Sequence, residues 1–298
     1  MQPAASPASG ASGDSSAAGP LSDGPEGIHR LIAFIERCRR LLVLTGAGCS
    51  TESGIPDYRN AEGSWKRRRP IQLQEFLRSD LARRRYWARS TVGWRRVREA
   101  RPNRAHEALA RLHRAGLARR IITQNVDGLH QKAGAAEVLD LHGRLDRVRC
   151  LECGQLHARE VFQQALLARN PGWAELAAGT APDGDADLEG VDFGGFRVPG
   201  CDGCGGTLKP DVVFFGENVP RDRLARAMAW MDEADGLLVA GSSLMVWSGY
   251  RFARAATRSG VPLAAVNLGR TRADGELDFR VEGRCGDVLG RAADWLGA

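Results

Sequence analysis

Lysine is nearly absent. Of 42 basic residues only Lys66, Lys132 and Lys209 are not arginine. Such a skew reads as the codon bias of a GC-rich genome. The net charge of +6 therefore hints at an anionic ligand but says little about nucleic acid, and the basic run at 66–69 reads as a solvated loop. Long apolar runs are also missing. The longest, at 41–44 and 237–240, are strand-sized and far short of the roughly 18 residues that span a bilayer. The first 27 residues have no basic start, no apolar stretch and no arginine, which argues against a secretory signal or a mitochondrial-type presequence. Ala, Ser, Gly and Pro make up 21 of those 27. Such a segment buries too little to offset its ordering entropy, so 1–27 is predicted to be a disordered tail of a cytoplasmic protein.

What remains is ordinary globular material: 298 residues, 43% hydrophobic and 26% charged, enough for one large domain or a large and a small one. From Ile28 onward, helical and strand patterns alternate. Ile28, Leu31, Ile32 and Ile35 share a helical face, and short apolar strands are expected at 41–44, 119–123, 138–141, 236–241 and 263–267. Helices are expected around Ala105, Leu109 and Leu112, at 250–259, and at 288–296. Alternation of this kind predicts an α/β fold: a Rossmann-like parallel sheet with helices on both faces, whose ligands bind at the carboxyl ends of the strands. Two stretches break the pattern, an Arg- and Trp-rich helical insertion at 61–98 and a Cys- and Gly-rich insertion at 149–206. They are expected to form a small second domain, leaving 28–60, 99–148 and 207–298 to the large one.

Four of the seven cysteines form two C-x-x-C pairs, Cys150/Cys153 and Cys201/Cys204, each followed by glycine. Two such knuckles supply a tetrahedral thiolate set. Two disulfides or a redox pair are the competing readings; a cytoplasmic setting disfavours the first and a second pair is superfluous for the other. The pattern points to one zinc ion. Four thiolates leave no open position for water, so that ion is expected to be structural. Cys38, Cys49 and Cys285 read as small buried apolar side chains.

The strand at 41–44 runs into Gly46-Ala47-Gly48. Glycines there let a pyrophosphate approach the backbone, although Thr51 stands where G-x-G-x-x-G has its third glycine, and a plain strand-to-helix turn explains the run equally well. Further polar groups follow later strands: Gln124, Asn125 and Asp127, then His142, then Gly241, Ser242 and Ser243, then Asn267. Asn125 and Asp127 also suit a helix N-cap. Strand ends carrying small or amide side chains fit a dinucleotide lying across the sheet.

Together these residues resemble the sirtuins, the NAD-dependent protein-lysine deacylases. The resemblance rests on GAGCSTESGIPDYR at 46–59, TQNVDGLH at 123–130, LHG at 141–143, the paired C-x-x-C set, KPDVVFFGE at 209–217, GSS at 241–243 and VN at 266–267, all in family order. The run at 51–59, RYWAR at 85–89 and the long gap between cysteine pairs look most like class II, the subgroup holding a vertebrate mitochondrial member. The resemblance implies that Gly46, Ala47, Gly48 and Ser50 bind the cofactor with Asp57, Tyr58 and Arg59 of a mobile loop. It implies that Gln124 reaches the ribose, that Asn125 and Asp127 line the nicotinamide pocket with a catalytic part, that Gly241, Ser242, Ser243 and Asn267 hold the adenosine half, and that Cys285 lies near the adenine. Val212, Val213 and Phe214 would offer a strand edge to the peptide of an acylated-lysine protein. No nucleic-acid or membrane partner is expected. In the implied reaction the acyl oxygen attacks the nicotinamide ribose, nicotinamide leaves, and His142 acts as general base for a ribose hydroxyl. The products are lysine and 2′-O-acyl-ADP-ribose. An unperturbed imidazole, titrating near ~6.5, suits that task. Mono-ADP-ribosyl transfer and lipoamide removal remain open within the family. Outside it, an NAD-dependent dehydrogenase and a zinc-ribbon nucleic-acid module are the rivals. No Tyr-x-x-Arg pair of the kind used for acidic acyl chains is picked out after residue 59, which disfavours desuccinylation.

Overall fold

The structure is a computed structural model that describes residues 21–22, 24–58, 60, 62, 64–66, 70–176, 179–180, 186–188 and 190–298. Arg59, the basic run at 67–69 and residues 1–20 of the expected tail lie outside the described residues.

In chain order the elements are β1 (Leu21–Ser22), α1 (Gly24–Arg37), β2 (Leu41–Thr45), α2 (Leu73–Arg78), α3 (Asp80–Glu99), α4 (Arg104–Arg114), β3 (Arg120–Thr123), α5 (Leu129–Lys132) and β4 (Val138–Asp140). There follow β5 (Gly143–Cys150), β6 (Leu156–Ala158), α6 (Arg159–Arg169), β7 (Gly179–Thr180), β8 (Ala186–Asp187), β9 (Leu208–Val212), α7 (Arg221–Glu233), β10 (Gly236–Ala240), α8 (Trp247–Arg258), β11 (Leu263–Asn267), β12 (Phe279–Glu282) and α9 (Cys285–Trp295). A seven-stranded sheet has the order β1-β12-β11-β10-β2-β3-β4, and all its pairings are parallel. The α/β fold expected from the strand pattern is thus observed. Strand order reverses between β2 and β10, the switch point at which such sheets bind ligands.

Alternating side chains of each strand feed two cores. Leu41, Val43, Leu238, Ala240, Ala264 and Val266 pack with α1, α4 and α9 on one face. Leu42, Leu44, Leu237, Val239, Leu263 and Ala265 pack with α7 and α8 on the other. Asn103 caps α4, its side chain accepting from the Ala105 N–H at 2.9 Å. Among the described residues no helix is long and apolar enough to cross a membrane.

Two expectations need correction. Order begins before Ile28: β1 pairs with β12, Leu21 opposite Arg280, and α1 starts at Gly24. Residues 143–148 and 207–212, assigned to the large sheet's domain, leave that sheet. β5 pairs with β9 on one side and with β6 on the other in a separate three-stranded sheet. The exit is at Gly143, where φ is +84° and a Cβ would stand 2.0 Å from the Asp211 carbonyl oxygen, so only glycine fits. Leu145, Val148, Leu208 and Val212 pack there with Phe76, Trp87, Trp94 and Phe162 in a third core. Arg159, 1% exposed, is held inside it between Trp87 and Trp94, 5.5 and 4.9 Å from the ring centres. Its guanidinium donates to Gln163 Oε1 at 2.6 Å.

Candidate active site and cysteine cluster

A cleft of about 440 Å³ opens at the carboxyl ends of the central strands. Gly46, Gln124, Gly241 and Asn267, at the ends of β2, β3, β10 and β11, all line it. Two loops meet at the switch point. The Gly48 N–H donates to Gly241 O at 2.8 Å, and a Cβ on Gly241, where φ is +62°, would stand 2.3 Å from Cys49 N. The Gly46 N–H is likewise engaged, on Ala240 O. What these glycines provide is close approach of two backbones and a floor without side chains, rather than free donors.

The polar groups at the strand ends hold one another. Gln124 Nε2 donates to Thr45 O and, at 2.8 Å, to Ser242 Oγ. Asn125 Nδ2 donates to Gly46 O and Ser50 Oγ, and Ser50 donates onward to Asp127 Oδ2 at 2.7 Å. Asp127 Oδ1 also accepts from Leu129 N, so the capping reading of this residue holds beside the functional one. Behind this network Cys49, His106 and His130 converge, with one ligand-type atom of each within 4.8 Å of the others. His130 Nε2 meets Thr45 Oγ1 at 2.8 Å. Burial pushes His106 down to about 4 and His130 well below the usual range, so both rings are neutral.

His142 follows β4 and lines the same cleft. Its Nδ1 lies 2.8 Å from Gln124 O, and its Nε2 lies 2.8 Å from Ser248 Oγ. A carbonyl can only accept, so Nδ1 carries the proton and Nε2 keeps its lone pair, to which Ser248 donates. Burial pushes His142 down to about 4; the bond to Gln124 opposes the shift and the charge of Arg223 adds to it. The ring is therefore a base held neutral well below the ~6.5 of a free imidazole.

The remaining expected residues divide. Asp57, Tyr58, Ser243 and Cys285 line the cleft, as do Val212, Val213 and Phe214. Asp57 is paired with Lys66 at 2.5 Å, and Tyr58 packs edge-on against Trp65 and Phe215. Strand β9 is the outer strand of its sheet among the described residues, and just past its end the Val213 N–H donates to His142 O at 2.8 Å and the Phe214 N–H to Glu217 Oε2 at 2.8 Å. Asn267 turns its amide to the carbonyls of Leu268 and Gly269. Sequence reasoning missed Ser248, which reaches His142 across 106 positions. It also missed Arg251, whose buried Nε has no partner among the described residues, and which lines the cleft as Arg270 and Arg284 do. Tyr86 lines the cleft from α3, three positions before Arg89, so the Tyr-x-x-Arg pattern not picked out in the sequence is present in RYWAR.

The cleft suits an anionic dinucleotide: its floor is glycine, Arg251 carries an unanswered donor, and arginines stand at its mouth. The cysteines fit zinc. Sulfur atoms of all four lie within 4.8 Å of one another, with Cys150–Cys204 at 3.5 Å and Cys153–Cys201 at 3.8 Å. Four sulfurs at ~2.3 Å around zinc stand about 3.8 Å apart. None is in a disulfide.

A sequence model described as the Sir2 family matches residues 46–248. An NAD-dependent protein deacetylase of Bordetella bronchiseptica is 59% identical over 262 residues, covering 88% of this chain and 96% of its own. A bovine protein named NAD-dependent protein lipoamidase sirtuin-4, mitochondrial, is 48% identical over 268 residues, covering 89% and 85%. A solved Sir2–p53 peptide–NAD complex superposes with a TM-score of 0.72 at 29% identity, over 91% of this chain and 98% of that one. With this cleft and these cysteines, the similarity leaves one assignment: the chain belongs to the Sir2 family.

Proposed function

We propose that the protein is an NAD-dependent protein-lysine deacetylase. The observation that carries the reading is the convergence on one cleft of a switch-point floor, the segment at 212–214 and the neutral imidazole of His142. NAD supplies the ribose that accepts the acyl group and the nicotinamide that leaves. Gly46, Ala47, Gly48, Ser50, Gln124, Ser242, Ser243 and Asn267 would hold it, with Arg251 answering its negative charge. Asn125 and Asp127 fix the loop under the nicotinamide half through Ser50. His142 takes the hydroxyl proton on Nε2, since Nδ1 is committed to Gln124 O. Val212 to Phe214 would align the acylated peptide along β9. Cys150, Cys153, Cys201 and Cys204 would hold zinc and tie the turn at 201–204 to the end of β5. A cytoplasmic location, and the absence of nucleic-acid or membrane partners, belong to the same proposal.

Removal of a longer acyl group is the second reading. The bovine relative is named a lipoamidase, and Trp65, Ile71, Tyr86, Leu145 and Phe214 give the cleft an apolar wall. The test is a panel of acetyl-, lipoyl- and succinyl-lysine peptides with NAD. Release of nicotinamide together with O-acyl-ADP-ribose is expected. Formation of NADH, or intact NAD with every peptide, overturns the proposal.

A further inference from the structure

His142 is gripped at both ring nitrogens by groups brought from a strand end and a helix. Gln124, just past β3, takes the Nδ1 proton on its backbone carbonyl. Ser248, the second residue of α8, sits on Nε2 at 2.8 Å. The same Gln124 also places α8. Its side-chain oxygen lies where a Cβ on Gly249 would stand, 2.3 Å away, so the first turn of α8 is packed directly on the Gln124 amide. Ser248 is thus set against the ring by backbone packing, not by a mobile side chain alone. The charge of Arg223 on α7 bears on the ring and opposes a positive charge there.

We propose that Ser248 is a positioning residue for the base: its hydroxyl anchors the His142 ring, whose Nδ1-protonated tautomer Gln124 sets, and remains the partner of Nε2 when that nitrogen takes up a proton. A hydroxyl is suited to both states. It donates to the lone pair of the neutral ring, and after rotation it accepts from the N–H of the imidazolium. As the Ser248 hydroxyl rotates off the lone pair, the ribose O–H bond breaks and an Nε2–H bond forms, and the Ser248 oxygen then accepts from that new donor, which would be costly to leave unpaired in this half-buried site. Among the described residues no other side chain hydrogen-bonds Nε2. The inference rests on the deacetylase reading for its kinetic arm and on geometry alone for its spectroscopic arm.

The test compares the wild type with Ser248→Ala and Ser248→Thr. Nitrogen NMR of the His142 ring in the protein without NAD is expected to show a single Nδ1–H tautomer in the wild type and in Ser248→Thr. In Ser248→Ala the Nε2 signal should move toward that of an unbonded nitrogen. With NAD and acetyl-lysine peptide, Ser248→Ala should lower kcat for acyl transfer about tenfold, with KM for NAD and nicotinamide exchange within about twofold, and threonine should restore the rate. Unchanged ring signals in Ser248→Ala overturn the proposal. So does equal loss of exchange and transfer, or failure of threonine to rescue, since each marks a merely structural role. If the wild type releases no nicotinamide, the deacetylase reading fails, and the ring signals alone decide the role of Ser248.

Discussion

The cleft and the cysteine cluster are held together by opposite means. In the cleft the chemically useful side chains are tied to other parts of the protein: Gln124 to Ser242, Asn125 to Ser50, Asp127 to Ser50 and Leu129, His142 to Gln124 and Ser248. Apart from the Ser248 hydroxyl, which must turn, these bonds are already in place, so their dipoles need little reorganisation when charge develops. In the cysteine cluster the sulfurs face chiefly each other, Cys150 on Cys204 and Cys153 on Cys201, with Glu152 close to one and His157 to another. As thiolates they would repel, and a cation is what turns the convergence into an attraction. The cleft is built by folding; the cluster is completed by its ion.

Breaking the cluster is expected to have the largest effect. Structural zinc contributes roughly 10–16 kcal/mol of apparent binding energy, comparable to the whole stability of a domain. Chelation, or Cys153→Ser, should remove hydrogen-exchange protection from β5, β6 and β9 while β2, β3, β10 and β11 stay protected. Unchanged protection with no metal in the sample would contradict the structural role. Breaking the cleft should spare the fold. In His142→Ala we expect acyl transfer to fall about 10²–10⁴-fold, with the melting temperature and NAD affinity measured by calorimetry nearly unchanged. Near-normal turnover would remove His142 from the reaction.

The smallest effect sharpens the contrast through pH. His106 and His142 are pushed down to about 4 by burial, and burial also pushes His130 well below the usual range. The unfolded chain binds these protons near ~6.5, so between there and about 4 it holds more protons than the native state, and stability rises with pH in that window. Denaturant midpoints should therefore be full above pH ~6.5 and fall steadily toward pH ~4. Metal content measured on the same samples separates this loss from zinc release. A midpoint that stays flat while the metal remains bound would contradict the neutral, buried state of these rings.

Elements buried on both faces were easy to read. β2, β3, β10 and β11 are nearly continuous apolar runs, as parallel central strands must be. β12 escaped notice because Arg280 sits in its middle, 9% exposed at the side chain, and is neutralised by Asp274 and Glu282. α7 escaped because its three arginines and three acidic residues mask the Ala227, Trp230 and Met231 face. At the site, His142 stands out through two short motifs of this chain, LHG and TQNVDGLH, whereas Tyr86 is hidden among the arginines of α3.

Local composition settled the alternation of strands and helices, the four metal-binding sulfurs and the polar residues after each strand, since burial, turn chemistry and ligand spacing are short-range properties of a chain. Tertiary structure alone decided that β5 and β9 leave the main sheet, that Gly48 and Gly241 touch, that the His142 ring is neutral, and that Ser248 is its partner. Each of those depends on groups far apart in sequence, and on the water excluded when they meet, which no local pattern encodes.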